Sequence, residues 1–155
     1  MTFEEMLEAQ RQLQIKAYGK DPAELQGDER IQFIKDMTLA LTDELHEALA
    51  ETNWKPWAKG NDVTEDAFQG ELVDAFHFFM NLMLVGHMSA EDMAVKYASK
   101  RQKNIKRQED GYDGKNKCPG CGRALDDDAV HCSMNESVGL VFCVKLNRYK
   151  KAMPV

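Results

Sequence analysis

Between residues 31 and 48 the side chains Ile31, Ile34, Thr38, Leu41, Leu45 and Ala48 recur at alternating spacings of three and four. Only an α-helix gathers such positions on one face, because a strand requires strict alternation. The same rhythm appears on either side. Phe3, Met6, Leu7 and Leu13 give a first helix up to Gly19, opened by the capping box of Thr2 and Glu5. Phe68, Leu72, Phe76, Phe79 and Met83 mark the core face of a third, capped by Thr64 and ending near Gly86, and Ser89 with Asp92 opens a fourth that runs to about Gln108. Residues 21–28 are a turn-rich connection, and residues 53–62, with Trp54, Pro56, Trp57 and Gly60, break the helical period. No β-period run precedes residue 115, so residues 1–114 read as an all-α, antiparallel helical bundle.

Beyond Lys115 the chain changes character. All four cysteines fall between Cys118 and Cys143, and residues 138–144 form a strand-like run. Residues 115–155 therefore read as a small, β-containing tail of zinc-ribbon type. Cys118 and Cys121 form a CPGC knuckle, and Cys132 and Cys143 supply the remaining thiolates of a structural Zn²⁺ site, with His131 as the alternative to Cys132. So short a tail buries little core, and the metal would provide its folding energy.

The formal charge of −6 argues against a protein that binds nucleic acid by neutralising many phosphates. The start, MTFEEMLEAQ, carries acids where a secretory signal has a basic region, and the most apolar window, 75–88, is interrupted by His77, Asn81 and His87. That window falls short of the roughly 20 apolar residues that span a bilayer. The expectation is a cytoplasmic protein without a membrane partner, in a compartment that keeps thiols reduced and available to a metal.

The chemistry concentrates in two matched carboxylate pairs. Glu44 and Glu47 are separated by three residues on the second helix, and Glu71 and Asp74 repeat that spacing on the third. Residues so spaced share a helix face. If the two helices pack side by side, four carboxylates converge, and their repulsion is relieved by cations; oxygen donors of this kind select Mg²⁺ or Mn²⁺. A single such pair is usually a solvated acidic face, but Glu71 and Asp74 flank Leu72 and Val73 and border an apolar stretch. Asp43, Glu51, Glu65 and Asp66 lack a matched partner and read as surface charge, as does His46 beside the cage.

Lys100, Asn104 and Arg107 form a polar stripe on the fourth helix that suits a polyphosphate, although cations near a helix C-terminus also complement its dipole. Tyr112, within GYDG, could close over a ligand or belong to a linker. Asn81, seven residues beyond Asp74, could hydrogen-bond a sugar or phosphate or satisfy a polar contact inside the bundle. Trp54 and Trp57 either stack on a base or anchor their loop to the bundle, and the sequence alone favours the anchor.

Four ordered blocks carry a family resemblance: QRQLQ at 10–14, ELHEALAETNWKPW at 44–57, ELVDAFHF at 71–78 and KRQKNIKRQEDGYDG at 100–114. They resemble the dimeric dUTPases of the all-α nucleoside triphosphate pyrophosphatase superfamily, which includes the MazG-like enzymes. The resemblance implies that Glu44, Glu47, Glu71 and Asp74 hold Mg²⁺, with Glu47 as base for the attacking water. It implies phosphate and lid roles for Lys100, Asn104, Arg107 and Tyr112, and a nucleotide pocket formed with Gln10, Gln14, Trp54, Lys55 and Trp57. It further implies a homodimer or higher homo-oligomer acting on a deoxynucleoside triphosphate, with dUTP, dCTP or both as substrate and a purine nucleotide as the MazG-like alternative. Gln14 stands where the family usually has Asn in QxxLN, which leaves the base open. A zinc-ribbon module binding nucleic acid or protein, carried on a helical dimer, is the competing reading of the whole chain.

Overall fold

The computed structural model describes residues 1–115, Lys117, Ala124 and the backbone of residues 133–135, 140–143 and 148–151. Among the described residues there are four α-helices, α1 (Phe3–Tyr18), α2 (Gly27–Ala50), α3 (Glu65–Val85) and α4 (Ala90–Glu109). The three strands, β1 (Ser133–Asn135), β2 (Leu140–Cys143) and β3 (Arg148–Lys151), form an antiparallel sheet in the order β1-β2-β3. Leu140 pairs with both Asn135 and Lys151, so the strand-like run supplies the central strand. By packing, the chain divides into two compact units, Met1–Ala98 and Ser99–Val155.

Local chemistry sets the helix ends. Thr2 accepts from the Glu5 backbone at 3.2 Å while Glu5 accepts from the Thr2 backbone at 2.7 Å. This reciprocal box satisfies two amides that the first turn leaves without partners. Gly19 ends α1 at φ 68°, a left-handed conformation that glycine adopts without a Cβ penalty. Ser89 and Asp92 form a second box at the start of α4. Thr64 occupies the N-cap of α3 but makes no side-chain cap hydrogen bond there, contrary to expectation. Its backbone amide instead donates to the Glu51 carbonyl at 3.0 Å, next to a bridge between Thr52 and Val63.

That backbone pairing draws the end of α2 to the start of α3. At the other end Arg30 donates from Nε and Nη2 to the Val85 carbonyl at 3.2 and 3.0 Å. Joined at both ends in this sense, α2 and α3 lie antiparallel, and they make the most extensive helix pairing in the fold. The core collects where α1 meets the C-terminal half of α3: Leu7, Met80, Met83 and Leu84 are buried, with Phe3, Met6, Phe76, Met88 and Met93 packed on them.

The apolar stripes are only partly used. Ile31, Leu45, Leu72 and Phe79, expected as core, are exposed, with Ile31 53% accessible. The buried positions of α3 are Ala75, Met80, Asn81, Met83, Leu84 and Val85, and α2 buries only Ala48. Periodicity identifies an apolar face without saying what covers it, and among the described residues part of that face is uncovered. None of the described helices is long and apolar enough to cross a membrane.

Candidate functional site

The α2–α3 pairing brings three of the four expected carboxylates together. Ligand oxygens of Glu44, Glu47 and Glu71 all lie within 4.8 Å of one another. Glu44 and Glu71 are partly buried, while Glu47 and Asp74 are exposed. Asp74 is not within that trio, but its charge acts on Glu44. The Glu44 carboxyl is pushed above the usual glutamate range, first by loss of solvent and then by the charge of Glu47. A hydrogen bond with Glu71 and the charges of Asp74 and Glu71 add to the shift. Such crowding costs free energy unless a proton or a cation sits among the oxygens. Three all-oxygen side chains fit a hard divalent cation, and Glu44, Glu47 and Glu71 are the residues that could hold one.

The loop 53–62 leaves α2 one turn beyond Glu47 and returns to α3 ahead of Glu71. Within it Trp54 and Trp57 are 54% and 78% exposed, so neither anchors the loop to the bundle, contrary to the sequence-based preference. A turn from Lys55 to Ala58, closed by a 2.8 Å backbone bond, holds the two rings and the exposed Lys55 out from the helices.

Gln10 and Asn81 sit differently. They are only 3% and 1% accessible and bond to each other, Gln10 Nε2 donating to Asn81 Oδ1 at 2.8 Å. Asn81 Nδ2 donates in turn to Met37 Sδ at 3.2 Å, and His77 Nδ1 lies 2.6 Å from Gln10 Oε1. Sequence reasoning registered His77 only as an interruption of an apolar window. Its position three residues beyond Asp74 and four before Asn81 was the available signal, since these spacings share a face. Gln14, one turn beyond Gln10, is also buried.

In the second unit, Lys100, Asn104 and Arg107 lie on the C-terminal half of α4. The chain turns back there: the Tyr112 amide donates to the Arg107 carbonyl at 2.8 Å, and the Arg107 guanidinium stands 5.0 Å from the Tyr112 ring centre. Tyr112 thus packs on one of the stripe's cations. Cys118, Cys121, Cys132 and His131 lie outside the described residues, as does the side chain of Cys143, whose backbone belongs to β2. A groove lined by Leu7, Arg11, Leu84, His87 and Ala90 lies toward the other end of α3 from the carboxylates and holds no comparable cluster.

Known proteins match this chain in sequence. The family described as dUTPase matches residues 2–91. A dCTP pyrophosphatase of Enterobacteria phage LZ5 is 31% identical over 140 residues, covering 69% of this chain and 80% of the relative. A dCTP pyrophosphatase of Enterobacteria phage T4 is 29% identical over 138 residues, with the same coverage of 69% and 80%. No solved structure matches the chain. With the family match spanning both carboxylate-bearing helices, the chain belongs to the dUTPase family and is a nucleoside triphosphate pyrophosphohydrolase.

Proposed function

We propose that the protein is a Mg²⁺-dependent pyrophosphatase of pyrimidine deoxynucleoside triphosphates, releasing pyrophosphate and a monophosphate from dCTP, dUTP or both. The observation that carries the reading is the meeting of Glu44, Glu47 and Glu71 oxygens within 4.8 Å, with Glu44 held toward its protonated form. The family match and the two phage dCTP pyrophosphatases support the nucleotide class.

Glu44, Glu47, Glu71 and Asp74 would hold the metal, which, when bound, offsets charge on the triphosphate and its leaving group. Glu47, exposed in the trio, is the group best placed to take a proton from the attacking water. Lys100, Asn104 and Arg107 would bind the polyphosphate, with Tyr112 folding over it. The exposed Trp54 and Trp57, with Lys55, would wall the nucleoside, and Gln14 would line its inner side, backed by the Gln10–Asn81 pair. The uncovered stripe containing Ile31, Leu45 and Leu49 supports a second copy of the chain as the dimer partner. Structural Zn²⁺ held by Cys118, Cys121, Cys132 and Cys143 remains the proposal for the tail.

The test is a panel of pyrimidine and purine deoxynucleoside triphosphates incubated with protein and Mg²⁺, with products separated chromatographically. Monophosphate and pyrophosphate from dCTP or dUTP, lost in Glu47→Ala and Asp74→Asn, is the expected outcome. A purine preference would move the substrate to the MazG-like alternative, and no cleavage of any nucleotide would remove the reading.

A further inference from the structure

A chain of polar contacts that starts at His77, one turn beyond Asp74 on α3, runs in one direction. Gln10 Nε2 gives its proton to Asn81 Oδ1, so Gln10 turns its Oε1 toward His77. An amide oxygen only accepts, so with Gln10 Oε1 facing the ring at 2.6 Å, His77 donates from Nδ1 in this arrangement. The chain ends on Met37 Sδ, a weak acceptor that favours the Asn81 N–H facing it. Both ends favour this direction, and the histidine is the stronger partner. Gln10 lies on α1, Met37 on α2, and His77 and Asn81 on α3, so one proton position sets polar contacts across three helices.

Gln14 stands one turn beyond Gln10, 7% accessible, and its carboxamide makes no hydrogen bond to the described residues. A buried amide without a partner is costly, and it retains the capacity to meet a ligand. Gln10 is already engaged at both ends of its carboxamide.

We infer that His77 is a positioning residue for the nucleoside: its Nδ1–H fixes the Gln10–Asn81 pair and, through α1, the placement of Gln14. The inference rests on the pyrophosphatase reading. His77 touches neither phosphate nor water in this role, so its loss weakens nucleotide binding more than turnover.

Three variants of the full chain separate this role from simple packing. In His77→Phe the ring volume remains and the donor is gone; KM for dCTP or dUTP should rise about tenfold, the loss expected for one buried hydrogen bond, with kcat within about threefold. His77→Asn offers an amide N–H near the position of Nδ1 and should restore KM to within about threefold, whereas His77→Leu should behave like the Phe variant. Circular dichroism reports whether each variant folds. Unchanged KM in a folded His77→Phe, or a His77→Asn no better than His77→Leu, overturns the inference.

Two further measurements do not depend on turnover. The ¹⁵N shifts of the His77 ring in the wild-type protein should show the Nδ1–H tautomer, and an Nε2–H tautomer overturns the inference. Calorimetry with α,β-imido-dCTP and Mg²⁺ should give the same ordering in Kd as in KM. If the wild type cleaves no nucleotide but binds the analogue with this ordering, the pyrophosphatase reading fails and the positioning role stands. If it does not bind the analogue, both fail.

Discussion

Arg30 at the start of α2 is bonded through two guanidinium nitrogens to the carbonyl of Val85, the last residue of α3, at 3.2 and 3.0 Å. The carbonyls of a final helical turn lack intrahelical partners, and this one is 1% accessible on its residue, so water does not replace the arginine. The contact fixes how far α2 slides along α3, and with it the register that brings Glu44 beside Glu71.

Replacing Arg30 with Ala should therefore cost about 1.5–3 kcal/mol, the range for a hydrogen bond with a charged partner. Denaturant unfolding measures it. A register effect also predicts weaker divalent-cation binding at the distant carboxylates, read by titrating Mn²⁺ into the folded variant.

The Glu44 shift sets a pH dependence. Its carboxyl is raised in the folded state, so the group favours folding below the ordinary glutamate range, and that contribution is lost as pH rises through the raised value. At neutral pH the metal-free protein carries the repulsion, and Mg²⁺ should relieve it. Mg²⁺ should raise the Tm at pH 7, and the increase should shrink as pH falls through the carboxylate range and protons replace the cation. Differential scanning fluorimetry across pH, with and without Mg²⁺, checks this.

Asp21 predicts the opposite slope. The Arg11 guanidinium, bonded to both of its oxygens, holds its carboxyl below the usual range, and the Ala23 amide reinforces the effect. Its contribution is present above the unfolded value and lost as pH falls through the lowered one. Asp21→Asn keeps the cap on the Ala23 amide but loses the ion pair with Arg11, and should cost up to about 1 kcal/mol at pH 7. The difference from wild type should narrow in acid, because the variant lacks that titration.

Trp54→Ala and Trp57→Ala should leave stability within about 0.5 kcal/mol, as for exposed positions without packing, while raising KM for nucleotide. In the wild type, bound nucleotide should quench tryptophan fluorescence, and these are the chain's two tryptophans.

The sequence revealed this fold wherever a local rule decided the outcome. The Thr2/Glu5 box, Gly19 and the Ser89/Asp92 box mark their helix ends because capping involves neighbours in the chain. Two carboxylate pairs at a spacing of three point to a cage of four, of which Glu44, Glu47 and Glu71 meet while Asp74 stays outside the trio. Tertiary partners were not legible. Periodicity placed Ile31, Leu45, Leu72 and Phe79 in a core, but a stripe carries no information about its cover. Thr64 looked like a cap, yet its backbone pairs with Glu51 across the loop. The exposure of both tryptophans and the His77–Gln10–Asn81 chain depend on contacts between residues far apart in sequence.

The most direct measurement of the central claim is the initial rate of dCTP and dUTP hydrolysis as Mg²⁺ is titrated, for the wild type and Glu71→Gln side by side. The carboxylate cage predicts a saturable dependence on Mg²⁺, release of pyrophosphate and monophosphate, and a loss of at least about 100-fold in the variant, comparable to removing a key electrostatic or metal-orienting group. Hydrolysis that persists in excess chelator, or an undiminished rate in Glu71→Gln, would contradict it.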